Sequence, residues 1–399
     1  MSEDIEELQE ILQNDPYDFQ ARRSLSLALL DSGFNDEARK NLLFLIKTFP
    51  ENAELRYNLG IAYEKLKKFE KAEKAYRKAI ELSPEADFYY NLGLVCITLK
   101  EYDDGIEALT KVLEQEENDS NTFFYIGLAY FRKEEYDTAL EYFQQTLELN
   151  KDDLYAHFYV GNIFKLEGLD DLAISEFNKV LELSPDYSWA HFNLGSIAYE
   201  QGDSENALYY LKNTIKYNPY DIEAYSIMTK IFIKQERYME AEELINQALE
   251  SNPQNGNLYY DYAQIFKHQE DLEKYRNALK VAIKNYETLT LYPLEIVKKE
   301  LKSINKYLQE NAPQHIEAPI EEEQPQENEE ISQDTNEYSE EDNEEDFSDE
   351  FDNENDENSE NDYESEDSEE EEDYDDYDED QSEDEYQEDD TDDNEENNY

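Results

Sequence analysis

Cysteine and tryptophan each occur once in 399 residues, and histidine four times. The lone Cys96 excludes a disulfide framework and a cysteine-built zinc cluster. No apolar run approaches the length needed to span a bilayer. The opening MSEDIEELQE has no basic stretch followed by an apolar one, so no secretory signal is expected. Basic residues are also scarce, 34 against 103 acidic ones, and they vanish altogether after residue 310. From 311 to 399 there are 46 Asp and Glu, no Lys, no Arg and no Gly, which accounts for two-thirds of the net charge of −69. Such a segment lacks the apolar surface needed to offset the entropy of ordering, so residues 311–399 are expected to be a disordered acidic tail. The DYDDYDED run in it has no turn glycine and does not make a defined calcium loop. These absences point to a soluble protein of a reducing compartment; cytoplasm is the expectation, with a nuclear address left open.

What is present is a period. Pro16, Pro50 and Pro84 stand 34 apart, as do Pro185, Pro219 and Pro253. Gly60, Gly93, Gly127, Gly161 and Gly195 follow the same spacing with one step of 33, which places a single-residue deletion in the loop after Pro84. Eight units result, at 19–52, 53–85, 86–119, 120–153, 154–187, 188–221, 222–255 and 256–289. Within a unit the eighth position is the glycine column, preceded by Leu59, Leu92, Ile126, Val160 or Leu194. Position 11 is apolar or aromatic: Leu29, Tyr63, Cys96, Tyr130, Phe164, Tyr199, Phe232 and Phe266. Position 20 is small, and position 24 is large and apolar, from Leu42 and Tyr76 to Leu279. Offsets of three and four mean two amphipathic helices per unit, which approach closely at the small positions. Gly33, Gly168 and Gly202 mark the turn between them. Residues 1–18 and 290–310 each hold one further helix, a cap for either end of the array. The last unit is atypical, with Tyr275 in the small column.

YNLGIAYEKLKKFEKAEKAYRKAIELSP and HFNLGSIAYEQGDSENALYYLKNTIKYNP carry all these columns and resemble the tetratricopeptide repeat family, a likeness covering about two-thirds of the chain. The resemblance implies an all-α fold, a right-handed superhelical solenoid of helix–turn–helix repeats, here followed by the acidic tail. It also implies that the first helix of each unit lines the inside, with positions 2, 5, 6 and 9 facing a ligand. Those positions hold Tyr57 and Asn58, Tyr90 and Asn91, Phe124 and Tyr125, then Tyr155, Phe158, Tyr159 and Asn162. Trp189, Phe192, Asn193 and Tyr260 complete the candidate groove. Asn can bond an extended backbone as both donor and acceptor, and Tyr and Trp give large contact area at low entropic cost. The same aromatics equally suit packing between units. The basic clamp by which some family members hold C-terminal carboxylates is missing: Asn162 and Asn193 match it, but Phe158, Glu223 and Ile227 stand where the cations belong.

No catalytic, metal or cofactor site is expected. His157 and His191 share position 4 of adjacent units, a packing position, and Cys96 sits in a core column. The expected function is a non-enzymatic scaffold that binds a protein or peptide in its groove. Two alternatives stand beside it: an escort that captures a basic protein through the acidic tail, and a noncatalytic subunit of an enzyme complex. Nucleic acid is not an expected partner, because the overall negative field repels phosphate, and neither is a membrane. The sequence leaves the oligomeric state open.

Overall fold

The structure is a computed structural model that describes residues 3–311; the acidic segment lies, from residue 312 onward, outside the described residues. A single helix, α1 (Glu3–Asn14), precedes a series of helical hairpins. The first four pair α2 (Phe19–Asp31) with α3 (Asn35–Thr48), α4 (Ala53–Lys65) with α5 (Phe69–Leu82), α6 (Ala86–Leu99) with α7 (Tyr102–Gln115), and α8 (Ser120–Arg132) with α9 (Tyr136–Leu149). The next four pair α10 (Leu154–Leu166) with α11 (Asp170–Leu183), α12 (Ser188–Glu200) with α13 (Ser204–Tyr217), α14 (Ile222–Lys234) with α15 (Tyr238–Ser251), and α16 (Gly256–His268) with α17 (Leu272–Lys284). A short 3₁₀ turn (Tyr286–Thr288) and α18 (Leu294–Glu310) follow. Among the described residues the fold is therefore all-α, a solenoid of consecutive helix–turn–helix pairs.

Each hairpin closes on one contact. All eight position-24 side chains, from Leu42 and Tyr76 to Ile245 and Leu279, are fully buried. Five of them press on the glycine column: a Cβ added to Gly60 would lie 2.4 Å from the Tyr76 ring, and one on Gly161 2.8 Å from Phe177. The paired helices thus meet at a distance that only a bare Cα allows. The turn that lets them meet has its own requirement, because position 15 is left-handed in all eight units. Gly33, Gly168 and Gly202 fill it in three; Lys67, Lys100, Glu134, Glu236 and Glu270 adopt the same positive φ in the others. A side chain there costs roughly 1–2 kcal/mol in local sterics. One detail of the sequence pattern is corrected: position 11 of α12 is the buried Ala198, and Tyr199 stands one residue past the column, partly buried.

Successive hairpins are joined with equal regularity. Asp18, Asn52, Asp119, Asp153, Asp221 and Asn255 cap the first helices, each accepting a backbone N–H two or three residues on, which satisfies donors that a helix start leaves unpaired. In five of the eight units the position-4 side chain then reaches back six residues to a carbonyl of the preceding loop. Arg22 donates to Pro16 O (2.8 Å), Arg56 to Pro50 O (3.1 Å) and Tyr259 to Pro253 O (3.2 Å). His157 Nε2 does the same to Lys151 O and His191 Nε2 to Pro185 O, both at 3.0 Å. Three side-chain chemistries make one tie. The loop after Pro84 has three residues, 83–85, where the other connections have four, so the one-residue step falls there.

Two substitutions test this account from opposite sides. Gly161→Ala should cost about 1–3 kcal/mol by overpacking against Phe177. Glu134→Gly should gain about 0.5–1 kcal/mol, the relief of the left-handed side chain less the extra entropy of glycine. Thermal unfolding of each variant against the parent reads both; a neutral Gly161→Ala would contradict the close-contact assignment.

Candidate functional site

The candidate groove residues do not behave as one surface. Its middle is continuous. Tyr90 meets Tyr125 edge-on with ring centroids 6.0 Å apart, Tyr125 meets Phe124 at 5.3 Å, and Phe124 approaches Tyr155 at 6.3 Å and Tyr159 at 5.9 Å. Tyr159 continues to Phe158 at 5.7 Å, and Phe158 to Tyr187 at 5.3 Å. Six predicted residues on three first helices thus form one aromatic sheet, with offset and edge-on geometries that suit ring quadrupoles. The sheet is partly core: Phe124 lies against Phe143 (5.6 Å) and Phe158 against Phe177 (6.0 Å), both position-24 side chains. Burial pushes the Tyr90 hydroxyl up to about 12, with Tyr125 adding to the effect. Tyr155, at the edge of this sheet, and Trp189, at the same position 2 of the next unit, are 57% and 55% exposed.

Tyr187 belongs to this cluster and the groove positions do not include it. It occupies position 34, the residue just before a first helix, where six of the eight first helices are capped by Asp or Asn; an aromatic in that column is the signal that could have found it. Lys165, at position 12, is the second addition. Its Nζ donates to Asn193 Oδ1 (2.9 Å) and lies 6.0 Å from the Phe192 ring. Burial lowers its pKa, opposed by the more distant Glu200, Glu223 and Asp170. The central face therefore carries one desolvated ammonium between its aromatics.

The amides are mostly committed to the chain itself. Asn91 donates to Tyr57 Oη (2.8 Å), Asn162 to Phe158 O (2.9 Å) and Asn193 to Trp189 O (3.0 Å). Asn58 is buried, and Tyr57 stacks on Phe88 at 4.5 Å, so the second unit offers little open face. Tyr260 requires a correction. It is 8% exposed, covered by the ring of Tyr292 at 4.4 Å and bonded weakly to Glu300 of α18 (3.4 Å). The sequence pattern gives no sign of this cover, because it comes from outside the repeat.

The candidate chemistry of the histidines and the cysteine resolves into packing. His157 donates Nε2 to a carbonyl and holds Glu176 with Nδ1 (2.6 Å); His191 stacks on Tyr217 at 5.7 Å. Cys96, Glu73 and Glu101 have ligand atoms within 4.8 Å of one another. Burial raises the thiol to about 12, and Glu73 is engaged by Arg77 (2.7 Å).

Two carboxylates at the C-terminal end are shifted in opposite directions. Asp261 is fully buried, and burial pushes it up to about 6 against hydrogen bonds from Ser226 and Tyr292 and the charge of Lys230. Burial also pushes Glu300 upward, but hydrogen bonds from Tyr275, Gln264 and Lys267 outweigh it and hold it below its usual range. Tyr275, the residue that breaks the small column, owes its place to that bond (2.7 Å).

Helical hairpins in unbroken series, with an aromatic face on their first helices, define the class of helical-repeat proteins. Tetratricopeptide repeat models match residues 23–87, 67–120, 120–153 and 198–265, and a TPR repeat model matches 161–202. The chain belongs to the tetratricopeptide repeat family. Among solved structures, YrrB, described as a TPR protein with an unusual peptide-binding site, is 28% identical, with a TM-score of 0.39 over 46% of this chain and 95% of that one. MamA from Desulfovibrio magneticus RS-1 is 24% identical, with a TM-score of 0.41 over 42% of this chain and 96% of that one. A tetratricopeptide repeat protein from Parabacteroides merdae is 18% identical, with a TM-score of 0.48 over 63% and 98%. No curated protein matches the chain significantly. No helix among the described residues is long and apolar enough to cross a membrane.

The Asp261 shift sets a pH dependence. An acid whose folded pKa is raised favours the folded state when protonated, so its cost is full above about 6 and disappears toward the unfolded value near 4. Raising the pH from 5 to 7 should therefore weaken the C-terminal unit by about 1 kcal/mol, and Asp261→Asn should remove that component. Hydrogen exchange of α16 amides at the two pH values reads the difference; identical losses in parent and variant would refute it.

Proposed function

We propose that this protein is a non-enzymatic interaction scaffold whose first-helix face between Tyr90 and Trp189 holds a partner peptide or helix. One observation carries the reading. Tyr155 and Trp189, large side chains at position 2 of neighbouring units, are more than half exposed beside a continuous aromatic sheet that is otherwise packed. Among the described first-helix aromatics these two alone are more than half exposed; Tyr209 and Tyr220, equally exposed, lie on a second helix and in a loop. Neighbouring aromatics of this kind are the usual anchors of protein interfaces, where a few such residues supply most of the binding energy. Lys165 lies at the other end of α10 from Tyr155, ten residues or about 15 Å along the helix, at a depth where its charge is poorly hydrated. A partner carboxylate reaching that end of the face would pair with it in a way water does not. The partner that fits is a segment with apolar side chains for Tyr155 and Trp189 and an acidic group about 15 Å further along the face.

The experiment is capture from the native lysate with the full chain and with Tyr155→Ala/Trp189→Ala, in low and high salt. The double variant should lose a specific partner by roughly 30-fold or more, about the cost of truncating interface anchors. Since both side chains are exposed, its unfolding transition should match the parent's. A partner that persists with the double variant but is washed off by salt would instead favour capture of a basic client by the acidic segment.

A further inference from the structure

The connection from α17 to α18 runs from Asn285 to Pro293, nine residues, where the other inter-unit loops need three or four. The additional length is used to cross the first helices of the last two units. Asn257, at position 2 of α16, grips the backbone of the crossing segment with both ends of its amide. Its Nδ2 donates to Thr288 O (2.8 Å) and to Thr290 Oγ1 (3.2 Å), and its Oδ1 accepts from Leu291 N (2.9 Å). Gly256 N donates to Thr288 Oγ1 (2.8 Å), and no side chain fits at Gly256, where a Cβ would lie 2.5 Å from Asn285 O. Further on, Tyr292 donates its hydroxyl to Asp261 Oδ1 (2.5 Å), whose other oxygen accepts from Ser226 of α14. The Tyr292 ring lies on Tyr260 and 5.2 Å from Lys230 Nζ.

These contacts use positions 2, 5 and 6 of the eighth unit and 5 and 9 of the seventh, the positions that carry the aromatic face elsewhere. We infer that the first-helix face of the last two units is a peptide site of its own, which reads a bent backbone through Asn257 and a tyrosine hydroxyl through Asp261, and that residues 288–292 are the segment occupying it in cis. The inference shares with the proposed function only the premise that first-helix faces bind a peptide segment; the site is different. Recognition here is polar and directional. An amide that spans the Thr288 carbonyl and the Leu291 N–H three residues on fixes the direction and the bend of the segment, and a buried carboxylate flanked by Ser226 and Lys230 selects a phenolic donor. The class of ligand is thus a short bent segment with a hydroxyl residue followed four positions later by tyrosine. Because the resident copy is covalently tethered, a ligand in trans competes against a high local concentration and enters when the tethered segment is weakened.

The test uses the full chain with Thr288→Ala/Tyr292→Ala, which strips the tethered segment of two side-chain contacts, and a fluorescent peptide YETLTLYP as the probe. The double variant should bind the probe at least tenfold tighter than the parent. Adding Asn257→Ala should abolish that gain, and a probe with Phe for its second tyrosine should bind more weakly. Failure of the double variant to bind the probe while keeping the parent's helical content would overturn the inference, as would binding that ignores Asn257→Ala. If the double variant loses its fold, Tyr292→Phe alone, which keeps the ring, should still raise probe binding about threefold, and no rise would count against the site. Tyr155→Ala/Trp189→Ala introduced into the double variant should leave probe binding unchanged. Loss of binding there would place the probe on the central face, sparing the proposed function while refuting this one.

Discussion

The contact between position 8 and position 24 sets the geometry of everything else in this molecule. When a ring or a leucine rests directly on a glycine Cα, the two helices of a unit lie close enough for their flanking residues to interlock. The variation in the array respects it. Where the column departs from glycine, in α2, α14 and α16, the replacements are Ser26, Thr229 and Ala263, all small or compact and all fully buried. Where the opposing position-20 column carries a large side chain, at Tyr275, the ring stays buried beside α16 and its hydroxyl bonds to Glu300 of α18.

The parts of this architecture that repeat are those that can be read in the sequence, because eight near-copies average out local accident. The period, the two helices per unit and the short step after Pro84 follow from columns of glycine, proline and alanine alone. The position-4 tie is less visible. Arg22, Arg56, His157, His191 and Tyr259 share no chemistry except a donor of suitable reach, and two of them look like candidate ligands when met singly. Features outside the repeat are not visible at all. Nothing in the register announces that Tyr292 covers Tyr260, since the only trace is a connection longer than its neighbours. Lys165 escaped because the four ligand-facing positions do not include position 12, and Tyr187 because its column is one of caps.

The site likewise separates into what is used for cohesion and what is left over. A face rich in Tyr and Phe reads in sequence as a binding surface, yet Tyr57, Phe124 and Phe158 lie against position-24 residues of their own hairpins and Tyr159 against that of the preceding one. Only burial in three dimensions distinguishes Tyr155 and Trp189 from Phe124 and Phe158. Charge follows a similar division. Asp261 and Glu300 are both acids near α18, but one is surrounded by two hydroxyls and a distant amine, the other by three donors including a lysine. Their titrations consequently oppose each other, and the C-terminal end is held by bonds with different dependence on acidity.

The joint between units has a further consequence for the length of the protein. Four junctions, those before α2, α4, α10 and α16, are closed by the same two devices, an Asp or Asn cap just before the first helix and a position-4 side chain returning to the carbonyl two residues before that cap. A duplication or loss of whole units between two such junctions would bring matching halves of both devices together again, so the number of internal units is open to change by simple recombination. The eighth unit is different, because Asn257, Asp261 and Tyr275 are matched only to the segment and helix that follow it. The array can therefore grow or shrink from within while its last unit stays with its cap.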